Sequence, residues 1–194
     1  MQQIKAIDFA IKKLQHGLPD KLKYHSIEHT LGVLHSCEYL AKEHKLEATD
    51  LPLLLTAAAY HDIGFTQIYN NHEEVGCQIA EEVLPQFDYS PGQIEKIKSM
   101  IMATKIPPSP KNQLERILCD ADFNYLSGDK YDEISASLRD ELGLIGEKMN
   151  DEEWLKLQID FLEKHHYWTD FAKRVLAPKK AMVLKKLKFQ TKTD

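Results

Sequence analysis

A histidine and an aspartate stand side by side at the end of an apolar segment. The segment 51–60, LPLLLTAAAY, would be apolar on every side of a helix, and His61 and Asp62 follow it directly. A buried imidazole and carboxylate are costly unless they are paired or bind a metal ion, and the C-terminus of a helix favours a cation. The alternative is an exposed helix end, and the dipeptide alone does not decide between the two.

A second histidine, His29, is expected to lie beside this pair. Only a few residues around 45–50 separate the helix that begins after Ser26 from the helix that precedes His61, so the two helices should be antiparallel neighbours. At a rise of about 1.5 Å per residue, His29 and His61 then lie within about one helical turn of each other. Imidazole and carboxylate ligands without thiolates favour Zn, Mn, Fe, Co or Ni and argue against a structural zinc site.

A further ligand is expected from the segment CDADFNYLSG, which places Asp120 and Asp122 in a helical pattern that is otherwise apolar. The inward face of this helix is formed by Leu114, Ile117, Leu118 and Ala121. Asp120 falls on the edge of that face, where an acid either binds a cation or marks the boundary with solvent. Together with the histidines we interpret Asp120 as a metal ligand, and Asp122 as a capping or bracing group.

The elements that must position these residues are predicted to be helices throughout. Apolar residues recur at helical spacing, and no alternating strand of five residues is found. Capping patterns place helix starts at Ser26, at Asp50, at Asn71 with Glu74, and at Ser90 with Gln93. Helices are expected over about 4–16, 26–44, 50–60, 71–84, 90–104, 112–127, 130–142 and 151–166, and in the tail on either side of Pro178. We therefore predict an all-α fold.

The composition is that of a small globular protein. The chain has 194 residues, a formal net charge of −5 and three cysteines that form no CxxC pair. The acidic balance argues against a protein that mainly binds nucleic acid, and the cysteines are expected to be reduced thiols. There is no apolar run of membrane-spanning length and no signal peptide pattern, so we expect a cytoplasmic protein without membrane contact.

Four blocks of this sequence resemble the HD-domain superfamily of metal-dependent phosphohydrolases, in particular the small bacterial hydrolases. They are HSIEHTLGV, AAAYHDIGF, NHEEVGCQIAEEVLP and LCDADFNYLSG, which together span about residues 24–128. The resemblance implies one HD-type helical domain over 1–168, with 24–128 as its core, and a C-terminal helical tail over 169–194.

Carried over to this chain, the resemblance implies that His29, His61, Asp62 and Asp120 bind one divalent transition metal ion. His72 matches a histidine that supplies a second metal in dinuclear members of the superfamily. Those members add a histidine near the end of the following helix, where this chain has Thr104. A single ion is therefore expected, with His72 facing the substrate.

The function implied is hydrolysis of a phosphate ester, in a nucleotide or a small phosphorylated metabolite, by metal-activated water. Asp62 would orient the attacking water or accept its proton, while His25, His72 and Lys105 would stabilise the phosphate charge. Two alternatives remain open, a non-catalytic sensor that binds a nucleotide and a di-iron oxygenase. The sequence does not identify the substrate.

Overall fold

A computed structural model describes residues 1–190 of the chain. It contains nine α-helices and no β-strand within this range, which confirms the all-α prediction. The described residues form two compact units, the first made of residues 1–20 and 25–122 and the second of residues 21–24 and 123 onwards. The boundary that the sequence suggested near residue 168 lies inside the second unit.

The first unit contains six α-helices and carries every residue of the candidate site. The helices are α1 (Gln3–Gly17), α2 (Ile27–Glu43), α3 (Leu51–Tyr60), α4 (His72–Val83), α5 (Pro91–Ala103) and α6 (Gln113–Asp122). Two short 3-10 turns, Ile63–Thr66 and Leu84–Phe87, follow α3 and α4.

Helix α3 forms the centre of the first unit. Every residue from Leu53 to Tyr60 is buried, and the helix packs against α1, α2 and α5. The burial agrees with a sequence that is apolar on all sides of the helix. Because the core holds the whole helix, the two polar residues that follow Tyr60 are buried as well.

The helix starts agree with the sequence at two of the four predicted caps. The Ser26 hydroxyl accepts a hydrogen bond from the His29 amide, and Ser90 forms the expected capping box with Gln93. Asp50 occupies the cap position of α3 without a side-chain capping bond.

The capping box predicted at Asn71 was wrong. Asn71 has a left-handed backbone, with φ of 59°, and makes no side-chain capping bond. Its side-chain oxygen instead accepts a hydrogen bond from Lys105 Nζ at 3.0 Å. Asparagine tolerates left-handed backbone geometry, so this residue reverses the chain before α4 and does not cap the helix.

The second unit contains three further helices and one 3-10 turn, Asn124–Ser127. The helices are α7 (Tyr131–Leu144), α8 (Asp151–Lys164) and α9 (Asp170–Gln190). The helix predicted over 112–127 is therefore α6 followed by the turn, and α9 continues through Pro178. Residues 191–194 of the predicted tail lie outside the described residues.

Candidate metal centre

Three helix ends of the first unit meet at one point. His29 lies in the first turn of α2, His61 and Asp62 directly follow α3, and Asp122 is the last residue of α6. Helix α2 packs against both α3 and α6. The site is therefore made by side chains that the ends of packed helices hold in place.

The donor atoms of His29, His61 and Asp122 lie at the spacing that a metal ion requires, and Asp62 Oδ2 lies beside the two histidines. His29 Nε2 is 3.3 Å from His61 Nε2 and 3.1 Å from Asp122 Oδ1. Asp62 Oδ2 is 3.1 Å from His61 Nε2 and 3.4 Å from His29 Nε2, and His61 Nε2 is 3.7 Å from Asp122 Oδ1. Ligands about 2.1 Å from an ion are about 3.0 Å apart at right angles and about 3.4 Å apart in a tetrahedron.

The His61 ring is held in one orientation by the backbone. Its Nδ1 lies 2.7 Å from the Ala58 carbonyl oxygen, so Nδ1–H donates there and the Nε2 lone pair of the neutral ring faces the other donors. A backbone carbonyl at the second ring nitrogen is the usual support of a metal-binding histidine.

The surroundings of His61 are strongly negative. Burial alone would lower the pKa of His61, but the nearby carboxylates of Asp62 and Asp122 and the hydrogen bond to the Ala58 carbonyl raise it to about 9. The same negative potential that favours a proton on His61 also favours a divalent cation.

Asp62 is a buried carboxylate with one oxygen unsatisfied. The residue is only 4% exposed, and Oδ2 has no hydrogen bond of good geometry. Burial raises the pKa of Asp62, but His61 and His72 hold it well below the usual range, so the group is charged. A buried, charged oxygen without a hydrogen bond is what a metal ligand presents, and the four donors fit a divalent transition metal.

The structure places Asp122, which the sequence analysis did not count as a ligand, against the histidines. The ligand atoms of His29, His61 and Asp122 lie within 4.8 Å of one another. Asp120 is fully buried on the same helix, about 200° around the helix axis at about 100° per residue. Asp122 follows Leu118 by four residues and so continues the inward row of α6. That spacing is the signal in the sequence that favours Asp122 as a ligand over a capping or bracing group.

His72 lies on the other side of Asp62. Its Nε2 is 3.5 Å from Asp62 Oδ1, and its Nδ1 is 3.6 Å from Oε2 of the buried Glu73. The ring stacks on Phe65, with centroids 3.7 Å apart and planes at 19°. Asp62 thus directs one oxygen to the histidine cluster and the other to His72.

His25 also lies near the site. Its ring centroid is 4.1 Å from that of Phe65, 6.1 Å from that of His72 and 6.2 Å from that of His29. Phe65, which the sequence analysis did not single out, therefore supports both His25 and His72. Its position three residues after Asp62 was the available signal.

Lys105 and Thr104 lie at the end of α5. Lys105 forms an ion pair with Glu74, which lies in the first turn of α4, and donates a hydrogen bond to Asn71. The Thr104 hydroxyl donates to the Ile101 carbonyl of its own helix at 2.8 Å. The structure therefore pairs Lys105 with a carboxylate and leaves the Thr104 hydroxyl directed to the backbone.

The described part of the chain has no helix that is long and apolar enough to cross a membrane.

Searches among curated proteins and among solved structures gave no significant match. The family model described as HD domain matches residues 26–123, which is just over half of the chain and includes all four donors. The chain therefore belongs to the HD-domain family.

Proposed function

We propose that this protein hydrolyses a phosphate ester of a small molecule, with nucleotides as the first class to test. His29, His61, Asp62 and Asp122 would hold one divalent ion. The observation that carries the proposal is the convergence of the donor atoms of His29, His61 and Asp122 at 3.1–3.7 Å. The buried Asp62 Oδ2 lies beside the two histidines, 3.1 Å from His61 Nε2. Membership of the HD-domain family supports the reaction class.

The charges of the site suit this chemistry. Asp62 and Asp122 contribute two negative charges, and a histidine binds a metal as the neutral imidazole, so a divalent ion would be balanced. A bound ion of this kind lowers the pKa of water and withdraws electrons from a phosphoryl oxygen. The residues of the chain then have to bind the phosphate and transfer protons.

We assign phosphate binding and proton transfer to the side of Asp62 that faces His72. His72 is the first residue of α4, where free backbone amides and the helix dipole favour an anion. Asp62 Oδ1 lies 3.5 Å from His72 Nε2, so Asp62 can accept a proton from water on one side while His72 neutralises phosphate or protonates the leaving oxygen on the other.

His25 and Lys105 have smaller parts in this proposal. His25 lies near both His29 and His72 and can contact a substrate that reaches the two. Lys105 would have to exchange its ion pair with Glu74 for a phosphate oxygen, or act by its charge alone. Its substitution should therefore affect substrate binding more than the chemical step.

The test is a screen of the metal-reconstituted protein against nucleotides and sugar phosphates, in which phosphate release is measured. The metal content per chain is measured in parallel by mass spectrometry. His61→Ala should lose both the metal and the activity. Tight nucleotide binding without turnover would favour the sensor, and two irons per chain with a charge-transfer absorption band would favour the oxygenase.

A further inference from the structure

We propose that Gly64 and Phe65 form a seat for His72 and that Gly64 is a positioning residue for the reaction. The inference deepens the proposed function and relies on it for the role of His72. The contacts of Gly64 and Phe65 with His72, which define the seat, do not depend on the proposed function.

The observation is a very close approach between two segments of backbone. A Cβ atom added at Gly64 would lie 1.9 Å from the backbone oxygen of His72, 2.7 Å from its carbonyl carbon and 2.9 Å from its Cα. Real Cβ atoms essentially never come within 3.0 Å of another heavy atom. A side chain at position 64 would therefore push the His72 backbone away by about 1 Å.

The contact lies where a displacement has a chemical consequence. Gly64 belongs to the 3-10 turn Ile63–Thr66, which begins directly after Asp62 and packs against α4. The turn thus fixes the start of α4 relative to Asp62. His72 Nε2 lies 3.5 Å from Asp62 Oδ1, and a displacement of about 1 Å would separate the two groups.

Phe65 completes the seat from the next position of the chain. Its ring is 3% exposed and stacks on the His72 ring at 3.7 Å. The backbone of residue 64 therefore sets how closely α4 approaches, and the ring of residue 65 sets the orientation of the imidazole. Neither residue is among the four metal donors, so the seat should affect catalysis and leave the ion in place.

Gly64→Ala tests the proposal, with Gly92→Ala as the matched control because nothing lies within 4 Å of a Cβ at Gly92. Gly64→Ala should keep one metal per chain and lose about a hundredfold in kcat, the loss typical of a 1 Å misplacement. Gly92→Ala should keep wild-type kcat. In a His72→Ala background, Gly64→Ala should cause no further loss, because it acts through His72.

A second measurement does not depend on activity. The His72 ring protons, which lie against the face of Phe65, should be shifted upfield in the NMR spectrum of the zinc-loaded protein. Gly64→Ala should move these signals and Gly92→Ala should not. If no phosphate ester is hydrolysed by the wild type, the proposed function fails and this spectrum still decides the seat.

Two results would overturn the proposal. One is an unchanged His72 spectrum in folded Gly64→Ala, and the other is an equal loss of kcat with and without His72. If Gly64→Ala does not fold, Phe65→Leu takes its place. Phe65→Leu should keep the metal and should lower kcat only when His72 is present. A wild-type kcat in this variant, or an equal loss of kcat in the His72→Ala background, would refute the seat.

Discussion

Asp122→Asn tests the assignment of the fourth metal ligand, and Asp120→Asn is its matched control. Asp122 Oδ1 lies 3.1 Å from His29 Nε2, while the fully buried Asp120 does not belong to the close group formed by His29, His61 and Asp122. The amide keeps the shape of the side chain but removes one of two charges that balance the ion. Substitution of a group that hydrogen-bonds to a metal ligand typically lowers metal affinity 10–100-fold. Loss of a ligand itself should therefore weaken metal affinity at least about 100-fold.

The magnitude can be followed as metal-induced thermal stabilisation. At a manganese concentration 1,000 times the wild-type Kd, binding adds about 4.1 kcal/mol to the free energy of unfolding. For a chain of this length that raises Tm by about 8–16 °C. With a Kd 100-fold weaker, the same concentration adds about 1.4 kcal/mol and raises Tm by about 3–6 °C.

The assay compares Tm by circular dichroism with and without manganese for the wild type and both variants. Each variant is referred to its own metal-free Tm, so a change in intrinsic stability cancels. We expect Asp120→Asn to keep most of the wild-type increase and Asp122→Asn to lose most of it. The opposite pattern would refute the assignment and restore Asp120 as the ligand.

Three further predictions concern other parts of the chain. His72→Ala should keep the metal content and lower kcat, measured at saturating metal, about a hundredfold, which corresponds to about 2.7 kcal/mol of transition-state stabilisation. A fall from two metal ions per chain in the wild type to one in the variant would contradict this prediction. Lys105 holds the pKa of Glu74 below its ordinary value, mainly through their hydrogen bond. The stabilisation by this pair is therefore fully present above the ordinary glutamate pKa and is lost as the pH falls through the lowered pKa. Lys105→Ala should raise the pKa of Glu74 in an NMR titration. An unchanged pKa would exclude the pair. Lys180 donates to the Leu162 carbonyl in the last turn of α8 and to the carbonyl of His165, which follows the helix. Lys180→Met should therefore lower the free energy of unfolding in urea by about 1–3 kcal/mol, and no change would mean that water satisfies these groups.

The sequence by itself determined the helical fold and most of the site. The apolar segment before His61 required a buried helix, because no face of it suits water. The short connection between α2 and α3 required antiparallel neighbours, and this alone brings His29 beside His61.

Only the tertiary structure decided which acid of α6 joins the histidines. Asp120 and Asp122 are two residues apart on one helix, and both suit a cation chemically. The spacing of Asp122 from Leu118 favours Asp122, but the choice depends on the rotation of α6 against α2, which is set by packing of the whole inward row. The structure turns Asp122 toward His29.

The same limit applies to the segment between Asp62 and His72. Local sequence shows a glycine, an aromatic residue and a histidine, each of which is common in turns and helix starts. The close approach of the His72 backbone to Gly64 and the stacked ring of Phe65 arise because α4 folds back onto the turn that follows α3. Contacts between segments that local patterns do not connect are decided by packing, since each segment alone permits many arrangements.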